Sequence, residues 1–495
     1  MSRRSLTPRP RSLPIALTLA LWGGPLPARA QVCAAIATTA SDPTESALPA
    51  LARNPSRPEP WRLEHQLGLP SWLGLSLEHR ARYESLSTEI RAGLSGSNQL
   101  LALRTLLEAT ARRGHLRITG ELIDSRQVGA PDDAVLDTTL VDAVDLLQGY
   151  IGWNSEDVFS SGDALDVRVG RQTIDIGSRR LVARNAFRNT INAFTGLHAE
   201  LDTPREEKLR AFVVSPVQRL PQDQQSLQDN DLEFDEELDQ VLFYGVHAMS
   251  PTLVAGSSAE LYAFRLDEDD GDGQPSRNRR LWTIGARVVK EPESGHFDFE
   301  WESAFQFGES RRSAGRGDTT DLDHNAQFHH LGLGYRFDAE WEPRLEALVD
   351  YASGDDSPDD DANNRFDTLF GARRFEFGPT GILGAFARSN IISPGARLTA
   401  KPGERIRLML AHRLYYLASD RDAWTTTGLA DPSGGTNRFL GQLAELSARY
   451  EVVPKTFQVE VGIAQLFAGP FVDDAPNATE QGDSTYGYLQ TTLRF

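Results

Sequence analysis

His296-Phe297-Asp298-Phe299-Glu300-Trp301-Glu302-Ser303-Ala304-Phe305-Gln306-Phe307-Gly308 decides the fold class. Side chains of an extended strand point alternately to opposite faces. Phe297, Phe299, Trp301, Ser303, Phe305 and Phe307 therefore share one side, and His296, Asp298, Glu300, Glu302, Ala304 and Gln306 the other. A helical period of 3.6 would scatter the aromatics around the axis. In a soluble sandwich they would face a core. In a transmembrane barrel they would face lipid, with the acids in a water-filled lumen.

The same period of two recurs along the chain. Leu73, Leu75, Leu77, Ala81 and Tyr83 alternate with Ser76, Glu78, Arg80, Arg82 and Glu84. Ile406, Leu408, Leu410, Leu414 and Tyr416 alternate with Arg405, Arg407 and Arg413. Such segments begin near residues 73, 99, 114, 142, 164, 194, 206, 238, 254, 280, 296, 325, 341, 392, 404, 438, 455 and 484. They predict an antiparallel barrel of 18 strands, or of 16 if some of the weaker segments near 142, 194, 238 and 392 are not strands; both numbers are even, as single-chain bacterial barrels require. Joins such as 290–295 and 451–455 are short. Those at 216–237, 267–279, 309–324, 353–380 and 418–437 are long and acidic, which predicts short periplasmic turns and long extracellular loops.

The two ends of the chain agree with this reading. Arg3, Arg4, Arg9 and Arg11 precede an apolar run from Leu13 to Trp22, and Ala28-Arg29-Ala30 follows. That order predicts a secretory signal peptide over 1–30. The proline-rich stretch 31–70 is expected to be periplasmic and partly disordered, with the barrel over 71–495. Cys33 is the one cysteine, so no internal disulfide braces the fold; Gln31-Val32 before it lacks a lipoprotein box. At the other end, Tyr486 to Phe495 alternates and finishes on an aromatic. It resembles the closing strand of bacterial outer-membrane barrels, where that aromatic addresses the chain to the barrel assembly machinery.

Removing residues 1–30 takes five arginines and no acids, so the net charge falls from −19 to −24. A charge of that sign argues against nucleic-acid binding. No apolar run is long enough for a membrane helix. No nucleophile elbow, phosphate-binding loop or zinc-protease motif occurs, and no enzymatic activity, cofactor or metal is expected. His329 and His330 are adjacent on a strand, so their rings cannot share a metal. Asp267 to Gly273 resembles a calcium loop but places Arg279 where the bidentate glutamate should be. It is read, like Asp355 to Asp361, as a solvated loop.

Several landmarks from Trp72 onward resemble the alginate export family of Gram-negative outer-membrane barrels. They are Arg80-Ala81-Arg82-Tyr83-Glu84, then Val167-Arg168-Val169-Gly170-Arg171-Gln172, then Phe187-Arg188-Asn189-Thr190 with Phe194-Thr195-Gly196-Leu197. Asp350-Tyr351-Ala352-Ser353-Gly354-Asp355 is followed by Asn363-Asn364-Arg365-Phe366-Asp367-Thr368-Leu369-Phe370, and Ser389-Asn390-Ile391 and Ala418-Ser419-Asp420-Arg421-Asp422-Ala423 come later. The resemblance implies an 18-stranded barrel that lets an anionic polysaccharide leave the periplasm; a periplasmic export partner is among the expected partners. Thr173 to Leu181 follows the broader family's pattern, which implies a conduit more firmly than it implies alginate.

A polyuronate carries a carboxylate on each sugar, and the planar guanidinium fork suits a carboxylate. Alternation assigns Arg80, Arg82, Arg104, Arg117, Arg168, Arg210, Arg287, Arg344, Arg405, Arg407, Arg413 and Arg449, with Gln172, to the lumen. The plainer reading of each arginine is an ion pair with a lumen acid such as Glu78, Glu108, Glu121, Glu300, Glu346 or Glu445. Arg171 falls on the lipid side, so it is expected near a rim or turned inward by a bulge. Asp355, Asp356, Asn363, Asn364 and Asp367 mark a loop expected to fold into the lumen and gate it. The expected function is a monomeric, passive outer-membrane channel, surrounded by lipid, for an anionic saccharide or small acidic solute. A general or differently selective porin and a secreted structural or adhesive β-protein are the alternatives.

Overall fold

The computed structural model describes residues 61–495 except 133, 255, 272–274, 480 and 481. The expected signal peptide and residues 31–60 lie outside them. Among the described residues eighteen strands pair antiparallel with their neighbours in one closed sheet. The first six are β1 (Leu73–Leu86), β2 (Asn98–Arg113), β3 (Leu116–Val128), β4 (Asp142–Glu156), β5 (Ala164–Gln172) and β6 (Phe194–Asp202). Then come β7 (Lys208–Gln218), β8 (Val241–Val254), β9 (Ser257–Glu268), β10 (Arg280–Lys290), β11 (Phe297–Ser310) and β12 (Leu322–Arg336). The last are β13 (Arg344–Ala352), β14 (Ile391–Gly403), β15 (Ile406–Tyr416), β16 (Phe439–Val453), β17 (Phe457–Ala468) and β18 (Ser484–Arg494). The weak segments near 142, 194, 238 and 392 are all strands. Two further pairs of residues, Glu236–Glu237 and Ala362–Asn363, extend the sheet beside β7 and β12.

The seam joins β1 to β18, from Glu78 opposite Arg494 to Leu86 opposite Tyr486. Phe495 continues it: its N–H donates to the Leu77 carbonyl at 2.8 Å and its own carbonyl accepts from the Leu77 N–H at 3.1 Å. Residues 61–70 are not featureless, since they hold a short helix, Leu63–Gln66, and the Trp61 ring lies 6.1 Å from that of Phe495. Connections alternate strictly. Turns at 114–115, 157–163, 203–207, 291–296, 337–343, 404–405 and 454–456 share the end where β1 begins; the longer joins, 353–390 the longest, share the other.

Alternation separates the faces as expected. Phe297 is 61% exposed on the outer wall while its neighbour Asp298 is 2% exposed inside. One expectation is corrected: the interior is not simply a water-filled, polar lumen. Phe212, Phe243, Phe264 and Phe328 turn inward and pack with Phe194, Phe366, Phe377 and Phe386 into one buried apolar cluster. Burial of such side chains stabilises by about 1.5–3 kcal/mol each, and the segments that complete the cluster come from the long joins.

Glycines leave room for inward tyrosines. Tyr488 stands opposite Gly462 in the β17–β18 register and Tyr262 opposite Gly285 between β9 and β10, each ring lying where a Cβ on the glycine would be. The Tyr488 hydroxyl then reaches Glu460 at 2.6 Å. A Gly462→Ala change is expected to destabilise the barrel by about 1–3 kcal/mol through overpacking. Urea unfolding in detergent, followed by loss of the fast-migrating unheated gel band, measures it; an unchanged midpoint would refute the packing argument.

Candidate functional site

Two long joins descend into the barrel and meet. Residues 173–193 run from β5 to β6, and residues 353–390 from β13 to β14. Val182 and Phe370 form a parallel bridge between them. The Phe370 N–H donates to the Leu181 carbonyl at 3.0 Å, Ala183 N–H to Phe370 at 3.2 Å, and Ala372 N–H to Arg179 at 2.9 Å. Gly371 permits this approach, because a Cβ there would collide with the Arg180 carbonyl.

Ion pairs fix both segments to the wall. Arg180 contacts Glu300 at 2.5 Å and Glu302 at 2.7 Å on β11, and Glu376 of the other segment at 2.8 Å. Arg184 pairs with Glu121 of β3 at 2.8 Å, and Arg374 with Glu445 of β16 at 2.6 Å. Arg388 also grips Glu376. Opposite, Arg80, Arg82 and Arg104 donate to backbone carbonyls of the first segment: Arg80 to Ala186 (2.8 Å) and Arg188 (2.6 Å), Arg82 to Phe187 (2.6 Å), Arg104 to Ala186 (2.8 Å). The Arg82 guanidinium also lies over the Phe187 ring at 4.5 Å.

Arg82 also pairs with Glu84 at 2.7 Å and Arg104 with Glu78 at 3.1 Å, and the other arginines assigned to the lumen mostly sit beside acids. Arg117 and Arg168 share Asp166 (2.5 and 2.7 Å), Arg210 meets Glu200 (3.1 Å), and Arg449 meets Glu460 (2.9 Å). Arg287 lies between Glu260 (2.6 Å) and Glu300 (2.7 Å), Arg344 on Asp298 (2.5 Å), and Arg413 on Asp350 (2.7 Å). Gln172 is wholly buried, donating to the Gly196 carbonyl at 3.3 Å. Arg407 keeps the inward register but is exposed, opposite Arg449 at the short-turn end. Arg405 is a correction: it lies in the exposed two-residue turn before β15, where alternation no longer assigns a face. Arg171 is at the long-loop rim, held by Asp145 (3.2 Å) and Glu237 (2.8 Å), as a lipid-side arginine must be.

The gate residues need a correction of position. The part of 353–390 that fills the lumen is the later, more apolar stretch around Phe366 to Arg388. Asp356 is exposed and Asn364 half-buried. Asp355, buried, accepts no close arginine but receives Arg312 at 3.7 Å, and Asn363 donates to Ser310 at 2.9 Å. Asp367 pairs with Arg279 at 3.1 Å. These residues tether the segment at its entrance. Sequence reasoning missed Arg179, Arg180, Arg184, Arg373, Arg374 and Arg388; the first three had one available signal, since 173–193 is basic while the other long joins, 353–390 included, are mostly acidic.

The family described as alginate export matches residues 71–483 of the chain. No curated protein sequence matches it significantly. Among solved structures the chain is similar to Pseudomonas aeruginosa OccK3 (OpdO), at 14% identity over 86% of this chain and 95% of that one, with a TM-score of 0.52. P. aeruginosa OpdK with vanillate gives 10% identity, 86% and 98% coverage, and a TM-score of 0.56. Acinetobacter baumannii OccAB3 gives 13%, 86% and 99%, and 0.53. At these identities the likeness concerns the fold.

Two outcomes follow from the way the segments are held. Gly371→Ala should separate them and raise single-channel conductance in a planar bilayer severalfold; wild-type conductance would show that the bridge does not restrict flow. The second concerns acid. Burial opposes ionisation of Asp367, but Arg279 and Arg277 outweigh it and hold the carboxyl at about 2, below an ordinary aspartate near 3.9. A depressed carboxyl contributes stability above its unfolded pKa and loses it as pH falls through the folded one. The entrance tether should therefore hold at pH 5 and above and weaken between about pH 4 and 2. Conductance recorded down that range should rise, and a flat profile would count against the tether.

Proposed function

The chain belongs to the alginate export family, and from that premise we propose that it conducts anionic saccharides or small acidic solutes passively through its arginine-rich throat. Family and fold are those of channels, and the barrel lies in the outer membrane of a Gram-negative bacterium. The finer reading, the preference for anions, rests on Arg373. No carboxylate pairs with it among the described residues, and its Nε has no hydrogen-bond partner. Its Nη2 and that of Arg91 both lie over Gly384, 3.1 and 3.5 Å from where a Cβ would stand. Burial, then the nearby Arg91 charge, pulls Arg373 down to about 10. Arg373 is half-buried, and Asp137 offsets its charge only in part; withdrawing a cation from water with incomplete counter-charge is costly, so an arriving carboxylate would relieve it.

Further in, Arg80 also makes its contacts to carbonyl oxygens and the Asn189 amide rather than to an acid. Arg91 with Arg373, and Arg80 with Arg104, would form successive stations for a carboxylate; Arg82 is not one, since Glu84 holds it at 2.7 Å with both side chains fully buried. With both segments seated, the throat favours a small acidic solute over an extended polymer. OpdK, a barrel of the same fold, has been crystallised with vanillate, and vanillate is a small carboxylate. A polymer would require both segments to withdraw.

Reversal potentials in a salt gradient across a planar bilayer test the reading. Wild-type protein should prefer anions, and Arg373→Glu should shift the potential towards cation preference. Clear cation preference in the wild-type channel would overturn the proposal, and an unshifted potential in a folded Arg373→Glu protein would remove this station from it.

A further inference from the structure

Three carboxylates at the outer rim take no part in the throat. Asp142 opens β4, Asp145 follows on the same strand, and Asp235 comes from the 219–240 segment between β7 and β8. Their oxygens all lie within 4.8 Å of one another. In an unbroken strand, residues three apart point to opposite faces. Here the register with β3 passes from Ile123 opposite Asp145 to Ser125 opposite Asp142, so β4 carries one extra residue. Val144 takes it up with φ at 55°, a left-handed conformation rare for a β-branched side chain. The bulge turns Asp142 and Asp145 to the same side, where both are buried.

The charges are not balanced from within the protein. Asp145 accepts from Arg171 at 3.2 Å and from the Asp235 N–H at 2.7 Å. Asp235 accepts from the Leu220 N–H at 2.8 Å. Arg171 divides itself with Glu237 at 2.8 Å. Arg219, the other nearby cation, donates to the Thr138 carbonyl at 2.8 Å and to Asn192 at 3.1 Å. Asp142 Oδ1 has no hydrogen-bond partner although the residue is only 1% exposed, and the Asp142 carboxylate lies among the other two acids. Buried carboxylate oxygens without partners are rare in folded proteins, and one belonging to a group of acids is what a hard cation satisfies.

Among the described residues, other acids that crowd together have arginines beside them; Asp355, whose Oδ1 also lacks a hydrogen-bond partner, has Arg312 at 3.7 Å. In 267–279, Glu268 is held by Arg279 at 2.7 Å and Asp270 by Arg311 at 2.8 Å. Asp422 is gripped by Arg365. An all-oxygen, carboxylate-rich set without histidine or cysteine selects calcium or magnesium over transition metals. Ligands from two separate segments, one of them a bulged strand, suit calcium, which accepts irregular coordination by six to eight oxygens, whereas magnesium requires a near-regular octahedron. We infer that Asp142, Asp145 and Asp235 bind a calcium ion that ties the 219–240 segment to the rim of β4. Backbone carbonyls and water would complete the shell.

Equilibrium dialysis of the detergent-purified barrel against radioactive calcium tests this. One saturable site is expected, with a dissociation constant of roughly 0.1–1 mM, as in extracellular calcium modules. Asp142→Asn and Asp235→Asn should each weaken it at least tenfold, while Asp356→Asn, at an exposed acid, should not. Calcium should also slow proteolysis within 219–240 in the wild type and not in Asp142→Asn. Folding of each variant is checked by its heat-dependent gel migration. No saturable uptake by the folded wild type, or uptake unchanged in folded Asp142→Asn and Asp235→Asn, would overturn the site. Displacement of calcium by an equal concentration of magnesium would overturn the choice of ion.

Discussion

Every backbone N–H and C=O in the hydrocarbon of a bilayer must find its partner inside the protein, because no water is there to serve. A sheet meets that demand only if it has no edge. In this chain the demand is met where Leu77 to Leu86 pairs with Tyr486 to Phe495, strands that stand at the two ends of the sequence. Closure has a second effect. Once the sheet is a cylinder, the polar faces of all eighteen strands turn towards one shared interior, and the apolar faces towards lipid. The barrel thereby gathers most of its wall charges into a space from which much of the water is excluded.

The interior resolves that crowding by importing counter-charges. Taking a guanidinium or carboxylate out of water costs several kcal/mol unless partners replace the hydration shell. The wall strand β11 presents Glu300 and Glu302, and a residue of an inserted segment, Arg180, answers both. The wall strands β1 and β2 present arginines, and carbonyls of the same segment answer those. The apolar residues of the segments fill what remains. Buried arginines and buried acids thus stand interleaved in the interior, while many further acids of this strongly acidic sequence lie in outer loops.

Much of the barrel was legible from residue identity because alternation is a local property. Phe297 to Phe307 needs only its own strand to be read, and even the weak segments near 142, 194, 238 and 392 follow the rule closely enough to be placed. Arg171 shows the rule working by exception: a charge on the lipid face had to be at a rim, and it is. The contents of the barrel were not legible in the same way. Whether 173–193 lies inside or outside depends on Arg180 finding Glu302 and Glu376, residues far away along the chain. The acids of 355–367 suggested a lumen segment, but they turned out to hold its entrance, while the neighbouring apolar residues fill the space. Arg405 failed for a simpler reason, since a face has no meaning one residue beyond the end of a strand.

The bridge between Val182 and Phe370, reinforced by Arg180 and Glu376, has a mechanical meaning. Two independent lids have four arrangements. Lids that share a backbone bridge and an ion pair have two, because neither can swing without carrying or releasing the other. If these segments gate the channel, the throat would behave as a single latch, and its electrical trace would consist of two flat levels without intermediate steps. The time spent on the lower level would then be set by the rupture of that joint.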